Sequence, residues 1–171
     1  IEEAVKMFED ALRIARKAGV VNAYVAPNLA WLATALRLRW ERYQGNLPDR
    51  RRAMLRAAHR AAGRAVRLAW RFQNDLPHAL RELGLAAVRR GKVGRGMRLF
   101  RRSIAGAQRQ GARYELALSR RALWQTAAEL GQAGAARAAE AAVAEVQTLE
   151  LAAWAAATGD AASTGRATLS L

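Results

Sequence analysis

Cysteine is absent from the 171 residues of this chain. Its absence excludes disulfides, thiolate metal sites and cysteine nucleophiles, and it fits a reducing, cytoplasmic environment. The only histidines are His59 and His78, which lie on different predicted helices, and neither has a cysteine partner. We therefore expect no bound metal and no cofactor.

Catalytic motifs are also lacking. Glycines surround Lys92 between positions 91 and 96, but Val93 stands where a phosphate-binding loop needs a Ser or Thr hydroxyl. The acidic residues are dispersed, and no two of them form a pair typical of general acid and base catalysis. The sequence therefore predicts that this chain is not an enzyme.

Long uncharged hydrophobic runs are missing as well. A membrane-spanning helix needs about 18 apolar residues in succession, and no segment reaches that length without a charge. The nearest candidate covers residues 133–157, where it is interrupted by Arg137, Glu140, Glu145 and Glu150. We expect no contact with a membrane interior.

Strand-forming residues and proline are scarce, whereas Ala is abundant. Hydrophobic residues make up 52% of the chain, and Ala, the best helix former, dominates that share. The three prolines, Pro27, Pro48 and Pro77, each fall where a helix begins or a turn occurs. The composition predicts an all-α fold.

Apolar residues recur at helical spacing in about seven segments. The first three predicted helices cover residues 1–18, 26–44 and 50–72. The next three end at Gly91, Gly111 and Gly131. A seventh covers 135–151. The sequence thus predicts a helical domain over 1–151 and a C-terminal extension over 152–171, with a flexible tail from about Gly159.

Some of these helices repeat. Apolar positions of the first and fifth helices match at a constant offset of 92, as Phe8 and Phe100 do. Gly91 and Gly131, which end the fourth and sixth helices, are 40 positions apart. Such periods are typical of a right-handed stack of antiparallel helix pairs, here about three and a half of them. An ordinary helical bundle is the alternative.

The segment from Leu80 to Ile104 resembles a tetratricopeptide repeat. Its first helix carries a large and a small residue at Leu83 and Gly84, and its second carries Gly96 and Phe100. The resemblance implies a tetratricopeptide-like α-α superhelix with one groove and one outer surface.

Other parts of the chain follow this family less closely. Residues 5–19 are similar to the second helix of such a repeat. Ala87, however, stands where the family usually has an aromatic residue, and no proline closes the repeat near Gln110. The long third helix also stretches the repeat period well past the family's usual length of about 34 residues.

A second resemblance concerns residues 103–118, with the segment from Gln110 to Glu115 at their centre. This run resembles the helical-repeat region of large bacterial signalling proteins that combine a signal-transduction ATPase, a GAF sensor and a histidine kinase. Residues 167–171 are similar to the linker before the GAF domain. The resemblance implies a non-catalytic scaffold or regulatory spacer, whose partners are flanking domains or another signalling component.

Positive charge is the most pronounced feature of the composition. Lys and Arg number 29 against 14 acidic residues, which gives a net charge of +15, and all but three of the basic residues are Arg. Many of them form two stripes at helical spacing. The first stripe consists of Arg56, Arg60, Arg64, Arg67 and Arg71. The second consists of Arg95, Arg98, Arg101 and Arg102.

These stripes indicate an anionic partner, either an acidic protein surface or nucleic acid phosphates. A solvated face that reflects compositional bias towards Arg is the alternative. Aromatic residues for base stacking are few on the stripes, which makes nucleic acid the less favoured partner. Trp31 and Leu38 lie on the reverse of the second helix's main apolar stripe, where they pack between units or contact a partner.

Overall fold

The computed structural model describes the backbone of residues 1–167 and the side chains of residues 1–156. Seven α-helices and one short 3-10 helix follow one another in this part of the chain, without a strand, which confirms the all-α prediction. The helices are α1 (Glu2–Lys17), α2 (Ala26–Arg42), α3 (Pro48–Ala69), α4 (Leu76–Arg89), α5 (Val93–Gln110), α6 (Arg113–Glu129) and α7 (Ala135–Ala167). The 3-10 helix covers Gln73–Asp75.

Four of the turns between helices share one geometry. Each contains a glycine with φ between 65 and 75°, and these glycines are Gly19, Gly91, Gly111 and Gly131. The amide after each glycine donates to the carbonyl five residues earlier, as Lys92 N does to Ala87 O at 2.9 Å. Because a Cβ strains the backbone at such a φ, glycine ends the helix at these points.

The prolines lie in the first turns of three helices, as the sequence predicts. Pro27 belongs to α2, Pro48 to α3 and Pro77 to α4. The first turn of a helix leaves its amides unpaired, so the missing proline N–H costs nothing there. The third helix ends at Ala69, before the predicted end at Phe72, because a turn and the 3-10 helix precede α4.

Consecutive helices pack against each other from α1 to α7. In addition, α2 contacts α4, and α4 contacts α6. Short connections reverse the chain between neighbouring helices, so α2, α4 and α6 lie side by side, with α3, α5 and α7 on their other side. Helix α4 is therefore central, and most of its residues are buried.

Helices α4 and α5 come close together where two glycines face each other. A Cβ on Gly96 would lie 3.0 Å from the carbonyl oxygen of Gly84, and a Cβ on Gly84 would lie 2.6 Å from a ring carbon of Phe100. The Phe100 ring is fully buried in this contact. Three of the positions that carry the tetratricopeptide resemblance thus form one packing contact.

The last helix is longer than the sequence predicts, since α7 continues from Ala135 to Ala167 instead of ending near Leu151. Residues 151–156 are all exposed, so their helix does not depend on burial, and an apolar pattern cannot locate its end. They are rich in Ala, which has the highest intrinsic helix propensity. Residues 168–171 of the predicted extension lie outside the described residues. No helix within the described part has both the length and the apolar character to cross a membrane.

Candidate interaction sites

Helices α2, α4 and α6 enclose a cleft of about 480 Å³, referred to below as the α2–α4–α6 cleft. Its apolar lining includes Trp31 and Leu38 from α2, Leu85 from α4 and Leu118 from α6. Trp31 is 46% exposed and Leu38 is half-buried. The structure therefore places both predicted apolar contact residues in one open cleft, with a large aromatic surface in reach of a partner.

The floor of this cleft carries a buried carboxylate. Glu82 is 2% exposed and accepts hydrogen bonds from Nε and Nη2 of Arg37 at 2.7 and 3.2 Å. Arg37 also donates to both carboxylate oxygens of Glu41, at 2.9 and 3.0 Å. On the other side, Arg81 approaches Glu82 at 3.9 Å and donates to Glu115. Charges from α2, α4 and α6 are thus joined in a single network.

These contacts fix the ionisation of the network. Burial by itself raises the pKa of Glu82, but the charge and hydrogen bonds of Arg37, together with the nearby Arg81 and His78, outweigh burial and hold that pKa below its usual value. Burial lowers the pKa of Arg37, and the carboxylates of Glu82 and Glu41 raise it further than burial lowers it. Both groups are therefore charged at neutral pH, and the paired charges orient the walls of the cleft.

His78 lies beside this network and is uncharged at neutral pH. Burial, followed by the nearby charge of Arg81, lowers the pKa of His78 to about 4, although Glu82 opposes the shift. The ring Nε2 forms a 2.8 Å hydrogen bond with Thr34 Oγ1, and the edge of the ring meets Trp31 with centroids 4.7 Å apart. The His78 ring packs against Trp31 and is only 5% exposed. We assign it a structural role.

A second cleft, the α3–α5 cleft, lies on the opposite side of α4 and measures about 470 Å³. Its floor is aliphatic and consists of Val66, Leu80, Leu83 and Leu99. Trp70, which is 54% exposed, forms one wall. The other wall carries three residues of the second Arg stripe, which are Arg95, Arg98 and Arg102. The guanidinium of Arg102 lies over the Trp70 ring, 5.8 Å from its centroid.

The remaining predicted Arg residues lie outside both clefts. Arg56, Arg60, Arg64 and Arg67 follow the exposed face of α3, and Ala62 and Ala69 on the opposite face are buried. Arg71 is exposed but follows the end of α3, so the first stripe is one residue shorter on the helix than predicted. Arg101 is exposed on α5. Within the described residues, none of the nine predicted Arg residues forms an ion pair with a carboxylate.

The pKa of a nearby histidine reflects this excess of positive charge. Burial lowers the pKa of His59, and the charges of Arg90, Arg95 and Lys92 lower it further. The charges that act on this ring are all positive, and its buried Nε2 has no hydrogen-bond partner among the described atoms. The region between α3 and the start of α5 therefore has a positive potential.

Sequence reasoning missed the ion-pair network of the α2–α4–α6 cleft. Of its contacts, only the four-residue spacing of Arg37 and Glu41 has a local sequence signal. Glu82 is 45 positions from Arg37, and Glu115 is 34 positions from Arg81. Pairs at such separations become visible only when the helices are packed, which is why the acidic residues appeared dispersed.

In the described part of the chain, no three His, Asp or Glu residues are grouped as metal ligands. A comparison of the sequence with models of protein families gave no match, and neither did a comparison with curated proteins.

Proposed function

We propose that this chain is a non-catalytic protein-protein interaction module, a tetratricopeptide-like scaffold or regulatory spacer. In the proposal it belongs to a multidomain bacterial signal-transduction protein of the cytoplasm. It joins or gates flanking domains, or docks another signalling component, through shape and charge complementarity. The signalling context rests on the sequence resemblance of residues 103–118, whereas the binding role rests on the clefts.

One observation carries the binding role, namely the combination of apolar and polar groups in the α2–α4–α6 cleft. Trp31, Leu38, Leu85 and Leu118 offer apolar anchoring surface across three helices. The charged groups beneath these apolar residues are already paired with one another. A partner that displaces water from the cleft therefore leaves no buried charge unpaired. A preformed cleft of this kind suits an extended or helical protein segment, because little ordering of the scaffold accompanies binding.

The arrangement of the helices supports a tetratricopeptide-like stack. In such a stack the first helices of successive pairs lie side by side and line one groove, and here α2, α4 and α6 have that relation. Helix α1 packs on α2, as the second helix of a preceding pair would do. The close contact of Gly84, Gly96 and Phe100 also fits the pattern of small and aromatic residues in that family.

Site-specific photo-crosslinking tests this proposal. A photoreactive phenylalanine analogue at Gln125, an exposed residue of the cleft, should attach to one defined protein segment when the full-length protein is irradiated in cells. The double change Trp31→Ala and Leu38→Glu should reduce the yield roughly tenfold, since it removes the apolar anchors. The same analogue at Arg60, on the outer face of α3, is the matched control and should not produce that crosslink.

Scattered crosslinks that are alike at Gln125 and Arg60 would contradict the proposal. So would an unchanged yield in the Trp31 and Leu38 variant, provided that its circular dichroism spectrum and melting temperature show that it is folded. Mass spectrometry of the crosslinked peptide identifies whether the segment belongs to a flanking domain or to another protein.

Binding of nucleic acid is the second candidate function. Nine exposed Arg residues without a carboxylate partner in the described part of the chain favour it, because phosphates would neutralise them. Binding of labelled duplex and single-stranded nucleic acid over a salt series, with the charge reversals Arg60→Glu, Arg64→Glu and Arg67→Glu alongside, tests it. Tight binding that weakens steeply with salt and disappears in the variant would replace the scaffold role.

A further inference from the structure

The α3–α5 cleft combines features that the predicted Arg stripes did not reveal. Only three Arg residues, Arg95, Arg98 and Arg102, border it, and they occupy one wall of an aliphatic trough. They are spaced three and four residues apart on α5, so they follow the cleft for about 10 Å, or two helical turns. The opposite wall ends in Trp70. The site is therefore both apolar and positively charged.

We propose that the α3–α5 cleft binds an acidic amphipathic helix of a partner protein. Aliphatic side chains of that helix fill the trough between Val66 and Leu99, and its carboxylates pair with Arg95, Arg98 and Arg102. This inference deepens the proposed interaction function and rests on it, since it assigns the chemistry of one partner segment and the place where the segment docks.

Charge complementarity selects the acidic partner. Helix α5 contains no acidic residue, and α3 contains none after Asp49. The three guanidinium groups are exposed, and none of them has a carboxylate partner within the described residues. An incoming carboxylate can therefore accept hydrogen bonds from these guanidinium groups without breaking an ion pair within the protein. Its negative charge also reduces the repulsion between the three positive charges.

The aliphatic floor selects a protein segment over nucleic acid. Single-stranded nucleic acid binds by stacking successive bases on several aromatic side chains, whereas this cleft offers only Trp70, whose face Arg102 already covers. Val66 is half-buried, and Leu83 and Leu99 beside it are 6% and 7% exposed. This narrow aliphatic surface instead matches the aliphatic stripe of an amphipathic helix, which is the usual ligand of a hydrophobic groove. A second copy of this chain is disfavoured, because two molecules of net charge +15 repel each other.

The test uses a synthetic peptide helix with Leu at positions i, i+3 and i+7 and Glu at the flanking positions. Its binding to the full chain is measured by fluorescence anisotropy. Two matched peptides replace either every Glu by Gln or every Leu by Ser. We expect the parent peptide to bind and both replacements to weaken binding, because the site needs carboxylates and aliphatic groups together.

A pair of protein variants with equal loss of charge locates the site. The cleft variant carries Arg98→Gln and Arg102→Gln, and the control variant carries Arg60→Gln and Arg64→Gln on the outer face of α3. We expect the cleft variant to weaken the parent peptide roughly tenfold, as the loss of two partly exposed charge pairs implies. The control variant should change the affinity less than about twofold. All four substituted residues are exposed on helices, so both variants should fold, which circular dichroism checks.

Three outcomes overturn the inference. The parent peptide does not bind, or both variants weaken it equally, which means diffuse charge attraction. The third is that an oligonucleotide, and not the peptide, loses affinity in the cleft variant. If its binding to the wild type also weakens roughly fortyfold between about 50 and 200 mM salt, as three phosphate contacts imply, nucleic acid is the ligand. The variant Trp31→Ala with Leu38→Glu should leave peptide binding unchanged. Because the two clefts are tested by different variants, a failure of the peptide to bind the α3–α5 cleft leaves the crosslinking test of the α2–α4–α6 cleft unaffected.

Discussion

Replacing Glu82 by Gln should destabilise the chain much more than breaking an equally short ion pair on its surface. The Glu82 side chain is 2% exposed and holds Arg37, itself 13% exposed, at 2.7 Å. Gln preserves the shape of the side chain and one acceptor oxygen, but it removes the charge. The Arg37 guanidinium then remains desolvated with Glu41 as its only carboxylate, and Arg81 retains Glu115.

The expected loss follows from the burial of the pair. Removing one partner of a buried ion pair typically costs about 3–5 kcal/mol, because the other charge stays buried without compensation. Since Glu41 and Glu115 partly compensate for the missing carboxylate, we expect about 3 kcal/mol, near the lower end. If the free energy of unfolding decreases by about 2 kcal/mol per M urea, this loss lowers the urea midpoint of unfolding by about 1.5 M. The double change Arg37→Met and Glu82→Leu should recover most of this loss, because it leaves neither buried charge.

Urea unfolding followed by far-UV circular dichroism at neutral pH measures these differences. The matched control is Asp10→Asn, which breaks the 2.6 Å pair between Asp10 and Arg13, whose side chains are 43% and 58% exposed. Solvent screens such a pair, so the control midpoint should not move. A loss below about 1 kcal/mol for Glu82→Gln would refute the reasoning, because it would mean that water reaches the network.

Two further predictions concern residues that pack beside α4. His78→Gln should remove part of the acid sensitivity of the fold. Because the folded-state pKa of His78, about 4, is below the usual 6.5, the unfolded chain takes up the proton at a higher pH than the folded chain does. The free energy of unfolding of the wild type should therefore fall by about 2 kcal/mol between about pH 7 and pH 5, and that of the variant should not, as urea midpoints at both pH values will show. An unchanged pH dependence in the variant would contradict this assignment. Gly84→Ala should cost about 1–3 kcal/mol, since its Cβ would lie 2.6 Å from the buried Phe100 ring. Gly63→Ala, in the middle of α3 with only the end of Arg67 near its Cβ, should stabilise by about 0.5–1 kcal/mol, and thermal melting followed by circular dichroism measures both changes. Equal melting temperatures of the two Ala variants would rule out the close contact.

Local sequence features predicted the helices and most of their ends. Gly91, Gly111 and Gly131 end three helices, as the sequence predicted, and the structure shows each of them in the left-handed conformation. Pro27 and Pro77 mark helix starts. These features act within a few residues through backbone sterics and hydrogen bonds, so they can be interpreted without the tertiary structure. The end of α7 could not be predicted in the same way, because its Ala-rich sequence contains neither a clear apolar stripe nor a proline.

The candidate sites were predicted only in part. The sequence singled out Trp31, Leu38 and the Arg stripes because their positions on helices depart from the buried stripes. It did not indicate that Trp31 rests on His78, which is 47 positions away, or that Arg102 meets Trp70 across a cleft. Both contacts join residues from different helices, and their formation depends on how those helices cross.

By itself, then, the sequence determined the all-α class, the positions of the turns and the large excess of positive charge, all of which follow from composition and short-range spacing. Only the tertiary structure decided which side chains of α2, α4 and α6 share one cleft and which Arg residues of α5 face an aliphatic trough. The physical reason is that a helical repeat fixes the face on which a side chain lies but not the neighbour against which that face packs. Charges as far apart in the chain as Arg37 and Glu82 meet only after that choice has been made.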